Sequence, residues 1–183
     1  FDPSIQVRIV LPEKHISFWK DLCKEYAFNV PCLIFYGGDT RYHSVKNGLK
    51  DIPSSAIVAV HDAVRPLVSK DTIKRCFGVA EMNGTAIPVI NVNESVRRIK
   101  GEDSVADDRS QLRLVQTPQV FSSDILKDAY NLPYEEIFTD DAGIVEKAGY
   151  KIYLTEGNAE NIKITSPIDM LIASAMIDSI IDH

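Results

Sequence analysis

Residues Ile5-Gln6-Val7-Arg8-Ile9-Val10-Leu11 alternate between apolar and polar and then turn wholly apolar, which predicts a strand ended by Pro12. Between Lys14 and Phe28 the apolar residues Ile16, Trp19, Leu22, Cys23 and Tyr26 recur at helical spacing. A second strand is predicted over Cys32 to Tyr36, stopped by Gly37-Gly38, and a short helix over Ser44 to Lys50, closed by Asp51-Ile52-Pro53. Ala56 to Val60 is a continuous apolar run, as expected of a strand covered on both faces, and it ends abruptly in His61-Asp62-Ala63-Val64-Arg65-Pro66. A helix over Lys70 to Met82 and a strand over Thr85 to Val92 follow.

Residues 93–115 break the rhythm. Short β-like pieces, Val96 to Ile99 and Leu112 to Val115, flank a charged stretch that reads as an excursion from the main body. Helices are then predicted from about Ser123 to Tyr130 and from about Thr139. Thr139 is the expected cap of the second, Asp140 and Asp141 complement its dipole, and Gly149 is its stop. Lys151 to Thr155 and Ile162 to Ile164 read as strands. The last helix starts at Ser166-Pro167-Ile168-Asp169 and runs to the end. Strands alternating with helices predict an α/β fold with a doubly wound, mostly parallel sheet. With neither an internal repeat nor a linker, residues 1–183 read as a single domain.

Composition narrows the function classes. The 183 residues, 45% hydrophobic and 25% charged, are those of one ordinary soluble domain. No apolar run reaches about 18 residues, so no membrane span is expected. No basic, apolar leader opens the chain, which begins at Phe1 in mid-pattern, as though something precedes it. A net charge of −6 argues against nucleic-acid binding, which needs a basic face. Cys23, Cys32 and Cys76 form no CxxC pair, so neither a disulfide framework nor a zinc ribbon is expected. A reducing compartment, the cytoplasm, is the corresponding location.

In open α/β sheets ligands bind beyond the carboxyl ends of the strands. Three polar clusters lie at such ends: Gly37 to Ser44, His61 to Pro66, and Asn161 to Thr165. The glycines permit close backbone approach, Asp62 is a hard oxygen ligand suited to Mg²⁺, and Arg65 and Lys163 suit phosphate. Each also fits a plainer role. Gly-Gly-Asp makes a turn, Asp62 and Arg65 a local ion pair, and Lys163 a solvated charge. His43 and His61 read as hydrogen-bonded structural histidines, and Asp140-Asp141 as helix-start electrostatics rather than a metal site.

The clusters belong to an ordered set: Gly37-Gly38-Asp39-x-Arg41-x-x-Ser44-Val45, Val60-His61-Asp62-Ala63-x-Arg65-Pro66, Gln116-Thr117-Pro118-Gln119-x-Phe121, Thr139-Asp140-Asp141, and Glu156-Gly157-x-x-x-Asn161-Ile162-Lys163-Ile164-Thr165-x-Pro167-x-Asp169. Together they strongly resemble the 2-C-methyl-D-erythritol 4-phosphate cytidylyltransferase family of the non-mevalonate isoprenoid pathway, over essentially the whole chain. The resemblance implies a Rossmann-like nucleotidyltransferase sheet that joins CTP to methylerythritol phosphate with Mg²⁺, releasing pyrophosphate. The nucleophile is then a phosphate oxygen, already largely anionic at pH 7, so neither a general base nor a covalent nucleophile is needed.

By resemblance, Gly38, Asp39 and Ser44 recognise cytosine. Arg41 belongs to the same motif, with holding the loop as its other role. Asp62 is associated with Mg²⁺ and CTP. Arg65, Arg109, Thr117 and Thr139 surround the polyol phosphate, and Lys163 stabilises charge at the α-phosphate. The excursion corresponds to a β-arm, about 93–115, that clasps a second subunit and reaches its site, which implies a homodimer. Where the arm usually carries Asp-Thr-hydrophobic-Lys, this chain has Glu94-Ser95-Val96-Arg97, and Ser95 keeps the hydroxyl. The family's opening strand and Gly-rich loop, followed by Arg and Pro-Lys-Gln, are not among these residues. Residues 1–183 are therefore expected to be an N-terminally incomplete domain with negligible turnover alone. The competing readings are a ribitol-5-phosphate cytidylyltransferase and a catalytically silent CTP-binding or dimerisation module.

Overall fold

The computed structural model describes residue 2 and residues 4–181, so the readings that concern Phe1 and a last helix running to His183 lie outside the described residues. In chain order the elements are β1 (Val7–Leu11), α1 (Ile16–Glu25), β2 (Cys32–Tyr36), α2 (Arg41–Gly48), β3 (Ile57–Val60), α3 (Lys70–Asn83), β4 (Thr85–Asn91), β5 (Val96–Lys100), β6 (Asp103–Asp107), β7 (Arg113–Val115), β8 (Gln119–Ser122), α4 (Ser123–Ala129), α5 (Asp141–Lys147), β9 (Leu154–Glu156) and α6 (Pro167–Ile181). They fall into two compact units. One holds the stretch up to Ala56 together with Ser123–Tyr150, and the other Ile57–Ser122 with the stretch from Lys151 onward.

In the first unit, β1 and β2 pair in parallel, Val7 opposite Cys32 and Leu11 opposite Tyr36. α1 supplies the crossover that a parallel pair requires. α2 starts three residues before the predicted Ser44, because Thr40 caps it from an extended conformation and accepts the His43 N–H at 3.4 Å. The core of this unit holds Tyr42, Leu126, Ala129, Tyr130, Ile144 and Val145, all buried. Tyr42 stacks on Tyr130 with ring centroids 4.9 Å apart, and its hydroxyl is 3.0 Å from the Tyr130 carbonyl and 2.5 Å from that of Leu132. Asp140, not Thr139, caps α5: its carboxylate accepts the Gly143 N–H at 2.9 Å. Either residue type can cap, and here it is Asp140 whose side chain reaches the first turn. Gly149, at φ +93°, follows α5 as the expected stop.

In the second unit the strands run in the order β3-β8-β4-β7, with β9 also on β4. The α/β architecture holds, but the pairing in this sheet is more mixed than the expected mostly parallel arrangement. β9 is parallel to β4, whereas β7 and β8 run antiparallel to it and β3 antiparallel to β8. The cause is the excursion. After β4 the chain leaves through the β5–β6 hairpin and returns without a crossover helix, so it runs back along the strand it left. Pro88, which has no N–H to offer a ladder, sits where the partner of β4 changes from β8 to β7, and its carbonyl accepts the Gln116 N–H at 2.9 Å. The Thr117–Pro118 peptide bond at this change is cis.

α3 packs over β4 and β8, burying Cys76 and Ala80 against Ala86 and Val120. Residues 162–164 form no strand; instead the Ile164 N–H donates at 2.9 Å to the Val64 carbonyl in the turn after β3. That contact draws the Asn161–Thr165 segment to the end of β3. At α6, Ser166 and Asp169 cap one another's backbone, as the sequence predicts.

Candidate active site

Asp62 follows the carboxyl end of β3, in the turn between β3 and α3. Its Oδ2 lies 3.1 Å from Lys163 Nζ and 3.9 Å from Arg65 Nε. The longer contact is an ion pair rather than a hydrogen bond, and Arg65 Nε has no hydrogen-bond partner although it is buried. Arg65 Nη1 donates at 2.8 Å to the Asn161 carbonyl. Burial lowers the Arg65 pKa, with the charge of Asp62 opposing it. Two cations thus flank one carboxylate, and Lys163 keeps nearly half of its side chain, 46%, exposed. An excess of positive charge at a strand end suits a phosphate group.

A ring of hydrogen bonds sets this cluster in place. Asn161, fully buried, donates from Nδ2 to the Thr117 carbonyl at 2.8 Å. Thr117 Oγ1 accepts the Asp62 N–H at 3.0 Å and lies 2.9 Å from His61 Nδ1, while His61 Nε2 is 3.0 Å from the Arg65 carbonyl. His61 as a whole is exposed, but both ring nitrogens are engaged by the protein, and their desolvation lowers its pKa. Buried Gln116 bridges to the Asn158–Asn161 loop, donating to the Asn158 carbonyl at 2.9 Å. Gly157 lets this amide lie close, since a Cβ on it would stand 2.3 Å from Gln116 Oε1 and push the side chain aside.

In the other unit, the Gly38 N–H donates to Ser44 Oγ at 3.0 Å, folding the Gly-Gly-Asp turn onto the start of α2. A Cβ on Gly38 would stand 2.4 Å from His43 Cβ, so this is a position of obligatory close approach. Arg41 turns to α5, where its Nη2 lies 2.6 Å from Oδ2 of the fully buried Asp141. Tyr130 donates its phenol to Asp141 Oδ1 at 2.6 Å, and burial, then the charge of Asp141, push the Tyr130 pKa far up. Asp141 is therefore the anchor of α2 as well as part of the α5 helix start. Asp39 and Thr139 are both exposed.

Ser95 and Arg109 lie at the two ends of the excursion and are exposed. The Arg109 side chain folds back to donate to the Asn93 carbonyl, beside a cleft of about 280 Å³ lined by Asn91, Val92, Arg109, Ser110 and Arg113. The structure therefore gathers Asp62, Arg65, Thr117 and Lys163 into one cluster, and Gly38, Arg41 and Ser44 around the entry to α2. Asn161, Gln116 and Asn158 are part of the first cluster's framework, and sequence reasoning gave them no role. Their signal was present only as the fixed spacing of the Gln-Thr-Pro-Gln and Glu-Gly-x-x-x-Asn blocks.

No group of three or more His, Cys, Asp or Glu side chains that could hold a metal ion occurs among the described residues. Asp62 alone offers a hard oxygen donor beside the cations. That fits Mg²⁺, which is commonly held by one or two carboxylates plus substrate phosphates rather than by a protein cage.

Comparison with known proteins points the same way. The family model described as 2-C-methyl-D-erythritol 4-phosphate cytidylyltransferase matches residues 4–179. A protein of that description from Bacteroides fragilis is 48% identical over 177 residues, covering 97% of this chain and 81% of the relative. One from Porphyromonas gingivalis is 44% identical over 181 residues, covering 98% and 82%. Among solved structures, the enzyme of the same description from Thermus thermophilus superposes with a TM-score of 0.78 at 32% identity, covering 93% of this chain and 81% of that one.

Proposed function

The chain belongs to the 2-C-methyl-D-erythritol 4-phosphate cytidylyltransferase family, and from that premise we propose how its residues divide the work. The fold is the Rossmann-like α/β fold of these nucleotidyltransferases. The reaction transfers CMP from CTP to 2-C-methyl-D-erythritol 4-phosphate, a step of isoprenoid synthesis. A phosphate oxygen of the polyol attacks the α-phosphorus of CTP, the bond to the bridging β-phosphate oxygen breaks, and pyrophosphate leaves. The ribitol-phosphate and silent-module readings gain nothing from the comparisons.

Because the nucleophile arrives as an anion, the protein's task is to bring two anions together and to stabilise charge at phosphorus. Lys163 takes the α-phosphate, exchanging Asp62 for the phosphate oxygens. Arg65, with Thr117 and Ser95, surrounds the polyol phosphate, and Arg109 reaches it from the arm; Thr139 keeps the phosphate-binding role that the family resemblance gives it. Gly38, Asp39 and Ser44 read cytosine, while Arg41 holds their loop through Asp141. Asp62 would hold Mg²⁺, which when bound neutralises triphosphate charge. The observation that supports this reading best is the cluster of Asp62, Arg65 and Lys163 within 3.9 Å after β3.

Residues 1–183 are read as a single nucleotidyltransferase domain whose arm, about 93–115, completes a homodimer. Ile99 and Val105 on that arm are 72% and 41% exposed, as expected of a hairpin that meets a second subunit. The proposed location is the cytoplasm, in keeping with three free cysteines. Separately, no helix of the described residues is long and apolar enough to cross a membrane.

The test is pyrophosphate release by the full-length protein from CTP and Mg²⁺, with methylerythritol phosphate and ribitol 5-phosphate offered separately. Release only with the former is expected, and Lys163→Ala should lower kcat on the order of 10²- to 10³-fold. Equal rates for Lys163→Ala and the parent would remove Lys163 from the chemistry.

A further inference from the structure

A ring of hydrogen bonds runs around Asp62. The Arg65 carbonyl can only accept, so His61 Nε2, at 3.0 Å, carries the hydrogen. On the other side of the imidazole, Nδ1 and the Thr117 hydroxyl are hydrogen-bonded at 2.9 Å. Thr117 Oγ1 in turn accepts the Asp62 N–H at 3.0 Å. The circuit closes behind the site. The Thr117 carbonyl accepts from Asn161 Nδ2 at 2.8 Å, and the Asn161 carbonyl accepts from Arg65 Nη1 at 2.8 Å.

We propose that His61 is a positioning residue: through the Thr117 hydroxyl it fixes the backbone at Asp62, and through its own Nε2–H it fixes the carbonyl of Arg65. Both groups are thereby held ready for the phosphates and their metal ion. This rests on the reading of Asp62 and Arg65 as substrate-contacting residues. Such supporting partners set geometry to within fractions of an ångström, and losing one around a metal site typically costs about 10- to 100-fold in activity.

The experiment compares the full-length parent with His61→Ala, His61→Asn, His61→Gln, Thr117→Val and the double variant His61→Ala/Thr117→Val, alongside Asp62→Asn and Arg65→Ala. For each, kcat, both KM values and the melting temperature are measured. His61→Ala should lower kcat about 10- to 100-fold while the KM for CTP moves less than threefold. His61→Asn, which keeps a hydrogen-bonding group near the Nδ1 position, should recover more of the loss than His61→Gln, because the Thr117 link is the one that reaches Asp62. The double variant should lose more than Thr117→Val alone but clearly less than the product of the two single losses, because the Thr117 link is shared while the Arg65 link is not. Parent-like kcat in His61→Ala, independent losses in the double variant, or an Asn variant no better than Ala would each overturn the proposal. If His61→Ala does not fold, the comparison of the Asn and Gln variants at matched melting temperature decides it. Full activity in Asp62→Asn and Arg65→Ala would instead overturn the site reading beneath it, whereas loss there with none at His61 overturns the relay alone.

Discussion

Cutting the tie between Arg41 and Asp141 should cost more from the exposed side than from the buried side. Asp141 is fully buried, while the Arg41 side chain is 33% exposed, and the two meet at 2.6 Å. Arg41→Met removes the cation and leaves a carboxylate in the core of the first unit, still accepting the Tyr130 phenol at 2.6 Å but without its counter-charge. Breaking a buried pair in this way costs about 3–5 kcal/mol. Asp141→Asn removes the charge but keeps an oxygen for Tyr130, and Arg41 can recover water at its exposed face. The loss is then about that of one charge-assisted hydrogen bond, about 1.5–3 kcal/mol. Replacing both, as Arg41→Met with Asp141→Leu, should be less damaging than Arg41→Met alone, since no charge is left stranded. Urea unfolding of the purified variants measures all three. Because α2 begins at Arg41, directly after the Gly37-Gly38-Asp39 turn, the variants that remain folded should also show a raised KM for CTP. An Arg41→Met cost below that of Asp141→Asn, or below about 1 kcal/mol, would refute the account of the pair as a buried, charge-compensated anchor.

Gly38→Ala would place a Cβ 2.4 Å from His43 Cβ and 3.1 Å from the His43 carbonyl carbon, so the turn must move. An overpacking cost of about 1–3 kcal/mol corresponds to a KM for CTP raised roughly 5- to 100-fold, read from initial rates. The homodimer proposed above predicts that Ile99→Asp sediments as a monomer where the parent sediments as a dimer, because it puts a charge on the most exposed large apolar residue of the arm. Asp169 accepts hydrogen bonds from the backbone and hydroxyls of Thr165 and Ser166, which lower its pKa below the ordinary 3.8. A lowered folded pKa means that the stabilisation is complete above the unfolded value and is lost as pH falls through the folded one. Amide exchange in α6 should therefore accelerate in that acid range for the parent, while Asp169→Asn shows no such step.

Element type was legible wherever burial left a period in the sequence. Ala56 to Val60 reads as a strand because every side chain is apolar, and the Ser69-capped α3 reads as a helix because Cys76 and Ala80 recur on one buried face. β6 and β8 did not read as strands, for different reasons. Asp103–Asp107 has one large apolar residue, Val105, and its partner face is solvent within this chain. Gln119–Ser122 is fully apolar only at Val120 and Phe121 and follows Pro118, so its pairing depends on β3 and β4, far away in sequence. Sheet direction was the least legible property. Alternation of strands and helices favours parallel neighbours, and nothing local to residues 113–122 announces that the chain returns along the strand it left.

The same distinction separates the site residues that sequence reasoning found from those it missed. Asp62, Arg65 and Lys163 stand out because charge at a strand end is costly unless it meets another charge, and the structure pairs them at 3.1 and 3.9 Å. His61 reads as a hydrogen-bonded structural histidine, and its bonds to Thr117 and Arg65 bear that out, whereas Asn161 and Gln116 are uncharged and buried, so no single-residue property marks them. They are constrained all the same. Asn161 has its amide on Thr117 and its carbonyl on Arg65, and either bond alone is ordinary. Together they form a circuit, and such circuits lose more than a pairwise sum when one member goes. A circuit of this kind leaves its trace in the spacing of several motifs at once. That is why the ordered set of blocks was informative when each residue alone was not.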